Sequence, residues 1–237
     1  MSANLYYLMT MLPSLPTSLG GSVDYAYAIS KIKEAGAADL SYLADLLEAE
    51  KEIEKCGLQY YVLNNSGYKP QLPEGLPEAF KNDFDCYADM QEADWLTKVY
   101  KTWFNLLIET GKKTGSKLLV SWAKWELALR ATLIANKTEK ASKTPDHYSE
   151  LFKFVNTFEN VESAVNAANY YRTASVPFEA EKSLDQARLD YLRQSAQRFS
   201  FTIDELVAYM LELRIHNRYS TMRPEEGRRI LEEVTKL

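Results

Sequence analysis

Over residues 84 to about 110 the apolar set Ala93, Leu96, Val99, Tyr100, Trp103 and Leu107 recurs at three-and-four spacing, the period of a helix buried along one side. Runs of this kind make up most of the chain, and strand-like alternation is scarce. The residues that end helices, 9 glycines and 8 prolines among 237 positions, gather in a few clusters and leave the runs between them unbroken. Amphipathic helices joined by short connections can bury their apolar stripes only against one another. The expected fold is therefore all-α, a bundle or array of antiparallel helical hairpins.

The clusters place the elements. Leu5 to Leu12 is apolar but has no basic flank and stops at Pro13, too short for a signal-peptide core or a membrane span, and reads as a core strand or helix turn. After the turn cluster Pro13 to Gly21, helices are expected over 23–35 and 39–56, the second with Asp39 as its N-cap and an end before Gly57. Gly67, Pro70, Pro73, Gly75 and Pro77 make 57–82 an irregular connection and the best candidate boundary. It would divide an N-terminal helical region, 1–82, from a main helical region, 83–237, unless the two form one continuous domain. Further helices are expected at about 84–110, 116–137, 146–171, 178–199, 202–219 and 224–236, with breaks at Gly111 to Gly115, at a polar linker running to Pro145, and at Pro177.

Charge and cysteine content exclude several classes. A net charge of −5 argues against a general nucleic-acid binder, whose affinity comes mainly from clustered Lys and Arg. Cys56 and Cys86, with no secretory signal, read as reduced thiols in the cytoplasm. Nowhere do about 18 apolar residues run together, so direct membrane insertion is not expected and membrane contact would be peripheral.

No motif for catalysis, cofactor binding or metal binding emerges. Gly111-Lys112-Lys113-Thr114-Gly115-Ser116 lacks the spacing of a phosphate loop and has no strand before it, so it reads as a helix-to-helix turn. His147 and His216 belong to no zinc or di-iron pattern, and Glu212 and His216 are four residues apart rather than three. There is no nucleophile elbow and no cysteine in a catalytic context. The sequons at Asn64 and Asn136 carry no weight in a chain that is not exported. Most of the 16 tyrosines and 4 tryptophans fall on helical stripes, as core packing requires. Arg223 to Arg229 reads as a solvated helix start, with Pro224 in its first turn.

Acidic residues on apolar faces are the one unusual feature. On a helix over 116–137, Glu126 falls among Leu119, Trp122, Leu129 and Leu133, with Arg130 at i+4. On a helix over 178–199, Glu181 and Asp185 fall in the stripe of Phe178, Leu189, Leu192 and Phe199. An unpaired buried charge costs several kcal/mol, so these acids need partners, with Arg130 the nearest and Arg172, Arg188 and Arg214 further candidates. Three readings follow: an interhelical ion cluster of Glu126, Arg130, Glu181, Asp185 and Arg214, a partner-facing charge site, or a carboxylate pair for acid–base work.

The same segments carry a resemblance. Trp125-Glu126-Leu127-Ala128-Leu129-Arg130, Pro177 to Asp185, and Ala208-Tyr209-Met210-Leu211-Glu212-Leu213-Arg214 resemble helices of the C/d family of V-type ATPase socket proteins. In that family an E-x-x-x-R-like helix and an E-x-x-x-D helix recur in a repeated helical unit. The opening through Leu12-Pro13 resembles an uncharacterised bacterial family encoded among V-type ATPase genes. The resemblance implies a fold like that of the C/d family and a non-catalytic subunit or accessory protein that bridges the central rotor stalk and the membrane rotor ring. It also implies Glu126, Arg130, Glu181 and Asp185 as structural residues. Members of the C/d family are about a third longer and built from three similar units, so one unit would be reduced or missing here. The chain would then be cytoplasmic and peripheral to the inner face of the membrane, held there by its partners. The alternatives are a helical protein-binding adaptor or regulator unrelated to rotary ATPases, and an enzyme that uses the Glu181/Asp185 pair.

Overall fold

A computed structural model describes residues 2–35, 38–63, 72, 76–86, 90, 92–139 and 155–221. The described residues are all-helical, with no strand among them. The helices are α1 (Ser2–Met11), α2 (Tyr25–Glu34), α3 (Ala38–Leu63), a 3₁₀ turn (Glu78–Phe80) leading into α4 (Lys81–Asp85), α5 (Glu92–Thr114), α6 (Lys117–Glu139), α7 (Glu162–Thr173), α8 (Pro177–Ser195) and α9 (Ile203–Thr221). The breakers at Gly67, Pro70, Pro73 and Gly75, the linker to Pro145, His147, Arg223 to Arg229 and the helix expected over 224–236 lie outside the described residues.

α6 is the axis of the fold. Leu118, Leu119, Trp122, Ala123, Trp125, Leu127, Ala128, Leu129 and Ala131 are all buried, so most of the circumference of its central turns is covered by neighbouring helices. α5, α7 and α9 pack around it, α3 covers α5, and α2 bridges α3 and α9. One apolar core runs from Leu8 of α1 to Ile215 of α9 and takes residues from both sides of position 82. A second joins Trp125, Ala128 and Leu129 to Ala164 and Ala168 of α7 and Leu184 of α8. Three indoles satisfy their N–H groups while buried: Trp95 donates to the Asp83 carbonyl, Trp103 to the Leu46 carbonyl and Trp125 to Ser163 Oγ, each at 2.8 Å.

Several boundaries differ from those read from the sequence. α3 does not end before Gly57 but runs through it, and Asp39 lies inside its first turn, where it accepts from Lys113 Nζ at 2.8 Å instead of capping the helix. A Cβ on Gly57 would come within 3.1 Å of Leu96. Close packing against α5 therefore outweighs the cost of about 1 kcal/mol for a mid-helix glycine. α5 begins at Glu92 rather than 84 and passes Gly111 before ending at Thr114, where Gly115 turns the chain at φ +76. The helix expected over 146–171 is interrupted, because residues 156–161 form a turn with Asn160 in the left-handed region and α7 starts only at Glu162.

α8 ends at Ser195, short of 199. The Glu205 carboxylate accepts the backbone N–H groups of Phe199 at 2.6 Å and Phe201 at 2.7 Å, which holds a turn there in place of further helix. Phe199 is consequently 82% exposed and does not belong to the buried stripe of α8, and Phe178, at the other end of that helix, is 46% exposed.

Candidate functional site

α3, α6, α8 and α9 each turn acidic or basic side chains toward one another, and these join into a single ladder of ion pairs. It begins at Arg214 of α9, which donates to Glu50 Oε2 of α3; Glu50 Oε1 accepts from Arg130 of α6. Arg130 Nε also donates to Glu126 Oε1 at 2.9 Å, one turn back on the same helix. Glu126 accepts twice from Arg188 of α8, at 2.9 Å from Nε and from Nη2. Arg188 Nη1 donates to Asp185 Oδ1 at 2.9 Å. Arg218 of α9 extends the ladder, reaching Asp185 at 3.1 Å and Glu181 at 2.9 Å, and the Tyr171 hydroxyl of α7 donates to Glu181 at 3.3 Å. Among the described residues four carboxylates alternate with four guanidinium groups, so their formal charges balance.

The helices dictate this geometry. In α3, Leu43, Leu46, Leu47 and Ile53 are buried, and Glu50 falls on the same face. Glu126 has the same relation to Leu119, Trp122 and Leu129, and its side chain is 1% exposed. Pro177 starts α8 in a conformation suited to a first turn, and from there the 3.6-residue period sets Glu181, Asp185 and Arg188 along one side. Glu181 and Asp185, which would repel at four-residue spacing, share the Arg218 fork instead.

Burial sets the electrostatics of the ladder. Desolvation alone would raise the pKa of Glu50, but the charges of Arg130 and Arg214 outweigh it and hold the carboxyl at about 2. Glu126 follows the same balance, with desolvation opposed by Arg188 and Arg130, and its pKa is lowered. Asp185 goes the other way. Desolvation wins over Arg188 and Arg218 and raises its pKa, consistent with an Oδ2 atom that is buried without a hydrogen-bond partner among the described residues. The Arg130 guanidinium lies 4.9 Å from the Tyr100 ring centroid, 5.9 Å from that of Trp103 and 5.7 Å from that of Phe104, so an aromatic wall backs the cation. Burial pushes the Tyr100 hydroxyl up to about 12.

The five residues expected from the sequence, Glu126, Arg130, Glu181, Asp185 and Arg214, all lie in this ladder. Glu50 and Arg218 are additions made by the structure, although the stripe rule that singles out Glu126 also picks out Glu50. Arg188, one of several candidate cations, is a full member, whereas Arg172 is exposed near the end of α7. Glu212 is held by Arg193 Nε at 3.0 Å, and His216 is fully buried with no hydrogen-bond partner on either ring nitrogen among the described residues. Among the described residues no group of three or more His, Cys, Asp or Glu side chains is placed to hold a metal ion. None of the described helices is long and apolar enough to cross a membrane.

A family model matches residues 60–237, the greater part of the chain. The chain belongs to that family, described as a protein of unknown function (DUF2764). The DUF2764 match spans every member of the ladder except Glu50, which α3 contributes from outside it. No curated protein and no solved structure matches the chain.

Proposed function

We propose that this DUF2764 protein is a non-catalytic connector of a V-type ATPase, seated between the subunits of the central rotor stalk and the membrane rotor ring. One observation carries the reading. The three segments that resemble the C/d family, Trp125 to Arg130, Pro177 to Asp185 and Ala208 to Arg214, are distant in sequence and meet in the ion ladder. A connector that transmits torque must keep its helices from sliding past one another. A chain of directional, mutually compensated ion pairs across four helices fixes their register. Each carboxylate of the ladder is engaged by arginine, as a structural ion cluster requires, and the role assigned here needs no cofactor.

The test is purification of the tagged full chain from its own cells under mild conditions. Stalk and ring subunits should co-purify, and deletion of the gene should uncouple ATP hydrolysis from ion transport. Normal assembly and coupling without the chain would refute the proposal. A helical adaptor unrelated to rotary ATPases is the second reading. It is favoured by the exposed apolar side chains Tyr170, Val176 and Phe178 around the α7–α8 turn, and it predicts co-purification of a different partner through that turn.

A further inference from the structure

We propose that the end of the molecule formed by α1, the α5–α6 turn and the α8–α9 turn docks on an anionic phospholipid surface. The inference does not depend on the ATPase reading. α1 buries Leu8 and packs Leu5 and Met9 against the core, as does Leu12 just beyond its end, leaving Tyr6, Tyr7 and Met11 on its outer face at 48%, 66% and 54% exposure. Its sequence, Ser2–Met11, contains no charged residue, whereas the outer face of a helix in water is ordinarily polar or charged. The Tyr6 ring lies 4.7 Å from that of Phe201 in the α8–α9 turn. In that turn Phe199 and Phe201 both adopt left-handed backbone, at φ 60 and φ 51, which bulky side chains rarely tolerate. The Glu205 carboxylate locks the strained conformation, and the result is a phenylalanine displayed to solvent beside Arg198.

Asp204, next to Glu205, ties this turn to the start of α6, accepting from Ser116 Oγ at 2.6 Å and from the Leu118 N–H at 3.1 Å. There the Gly111 to Ser116 turn lines an open cavity of about 800 Å³, with Lys112, Lys117 and Lys124 among its walls and Glu159 the one carboxylate among the described residues that line it. Among the described residues no ion pair engages Lys112, Lys117, Lys124 or Arg198. The other acids here do not oppose them directly. Asp204 and Glu205 are turned onto backbone N–H groups, Asp39 is paired with Lys113, and Glu109 projects from α5 near Tyr42. Lys124 lies 5.7 Å from the Phe158 ring centroid, but Lys112, Lys117 and Arg198 beside an uncharged aromatic face, on a chain of net charge −5, match the order of layers in a bilayer surface: anionic headgroups above, apolar chains beneath. With no described helix able to cross, the contact is peripheral.

The test is flotation of the full chain with phosphatidylcholine vesicles, with and without a substantial fraction of phosphatidylglycerol. The wild-type protein should float with the anionic vesicles, and added salt should release it. Phe199→Asn removes the ring and suits the left-handed backbone, so it should keep the wild-type melting temperature while lowering the partition coefficient about tenfold. Lys112→Ala with Lys117→Ala should lower it about 30-fold. Phe178→Ser, on the exposed α7–α8 side, should leave it unchanged. Equal flotation with neutral vesicles, or wild-type flotation by Phe199→Asn and the lysine double variant, would overturn the proposal. So would an absence of flotation together with a dimer in light scattering that Phe199→Asn abolishes, which would assign the face to a second copy of the chain.

Discussion

Replacing Glu126 by glutamine tests the ladder where it is most deeply buried, without changing the shape of the side chain. The substitution removes one negative charge from between Arg130 and Arg188 and leaves an amide that can accept fewer of the three N–H bonds now directed at the carboxylate. Breaking a buried ion pair costs ~3–5 kcal/mol. Here each cation keeps a second anion, Glu50 for Arg130 and Asp185 for Arg188, so the low end, ~3 kcal/mol, is expected. Glu50→Gln should cost more, because Glu50 is the one carboxylate within salt-bridge distance of Arg214 among the described residues. Glu181→Gln should cost ~1 kcal/mol or less, since both Glu181 and Arg218 are more than a third exposed. The expected order is thus Glu50, Glu126, Glu181. Urea unfolding followed by circular dichroism reads it directly, with a midpoint shift of about 1 M for Glu126→Gln at a slope of about 3 kcal/mol/M. The partner arm is Glu126→Leu combined with Arg188→Leu, which should be more stable than Glu126→Leu alone, because an apolar pair leaves no uncompensated charge. A Glu126→Gln midpoint within about 0.3 M of wild type, or an equal loss for Glu181→Gln, would refute the argument that burial and pairing set these costs.

Three further outcomes follow from the same geometry. The Glu50 carboxyl, lowered from 4.5 to about 2, contributes stability that is fully present above 4.5 and lost as pH falls toward 2. That contribution amounts to ~3 kcal/mol, and Glu50→Gln should flatten the acid limb of an unfolding-midpoint curve over that window. His216, whose pKa is lowered from 6.5 by burial and by nearby Arg193, is held neutral, so its contribution fades as pH drops below 6.5. Both ring nitrogens lack partners among the described residues, so His216→Leu should raise the melting temperature and remove that part of the pH dependence, as melts at neutral and mildly acidic pH would report. Gly111→Ala would place a Cβ 2.7 Å from Val120 Cγ2 and 3.2 Å from the Ser116 carbonyl oxygen, and overpacking of this kind should cost ~1–3 kcal/mol in urea unfolding.

The parts of the fold legible in the sequence are those where a local rule and tertiary packing agree. α6 is an example, since Ser116 caps it and apolar residues cover most of its circumference at its centre. Where the two conflict, packing decides. Gly57 looks like a helix end and is instead a contact point for Leu96. Phe199 extends the stripe of α8 on paper, but a carboxylate six residues later takes up the backbone N–H groups and turns the ring outward. No periodicity encodes that contact. In the ladder, Glu126 and Arg130 are visible because both lie on one helix at i and i+4. Arg218 is not, because its acids are 33 and 37 residues away and the pairing depends on how α9 crosses α8.

The distribution of charge within the ladder bears on why it exists. A purely apolar interface of these four helices would bury more greasy surface and tolerate sliding, since burial of apolar area has no direction. Each guanidinium fork instead fixes two oxygens in distance and angle. Because every arginine except Arg214 spans two carboxylates, shifting any one helix by a turn would break pairs on both sides of it. Asp185 shows that this rigidity is not free: it stays buried with an unsatisfied oxygen and a raised pKa, a local cost that simple stability would not favour. Asp185→Asn should therefore destabilise less at neutral pH than Glu126→Gln. If fixed register is what the pair with Arg218 provides, the same substitution should also speed hydrogen exchange in α9 beyond what its change in global stability accounts for. Unchanged exchange in α9 would leave the ladder as an ordinary buried cluster and remove the physical argument for a torque-bearing connector.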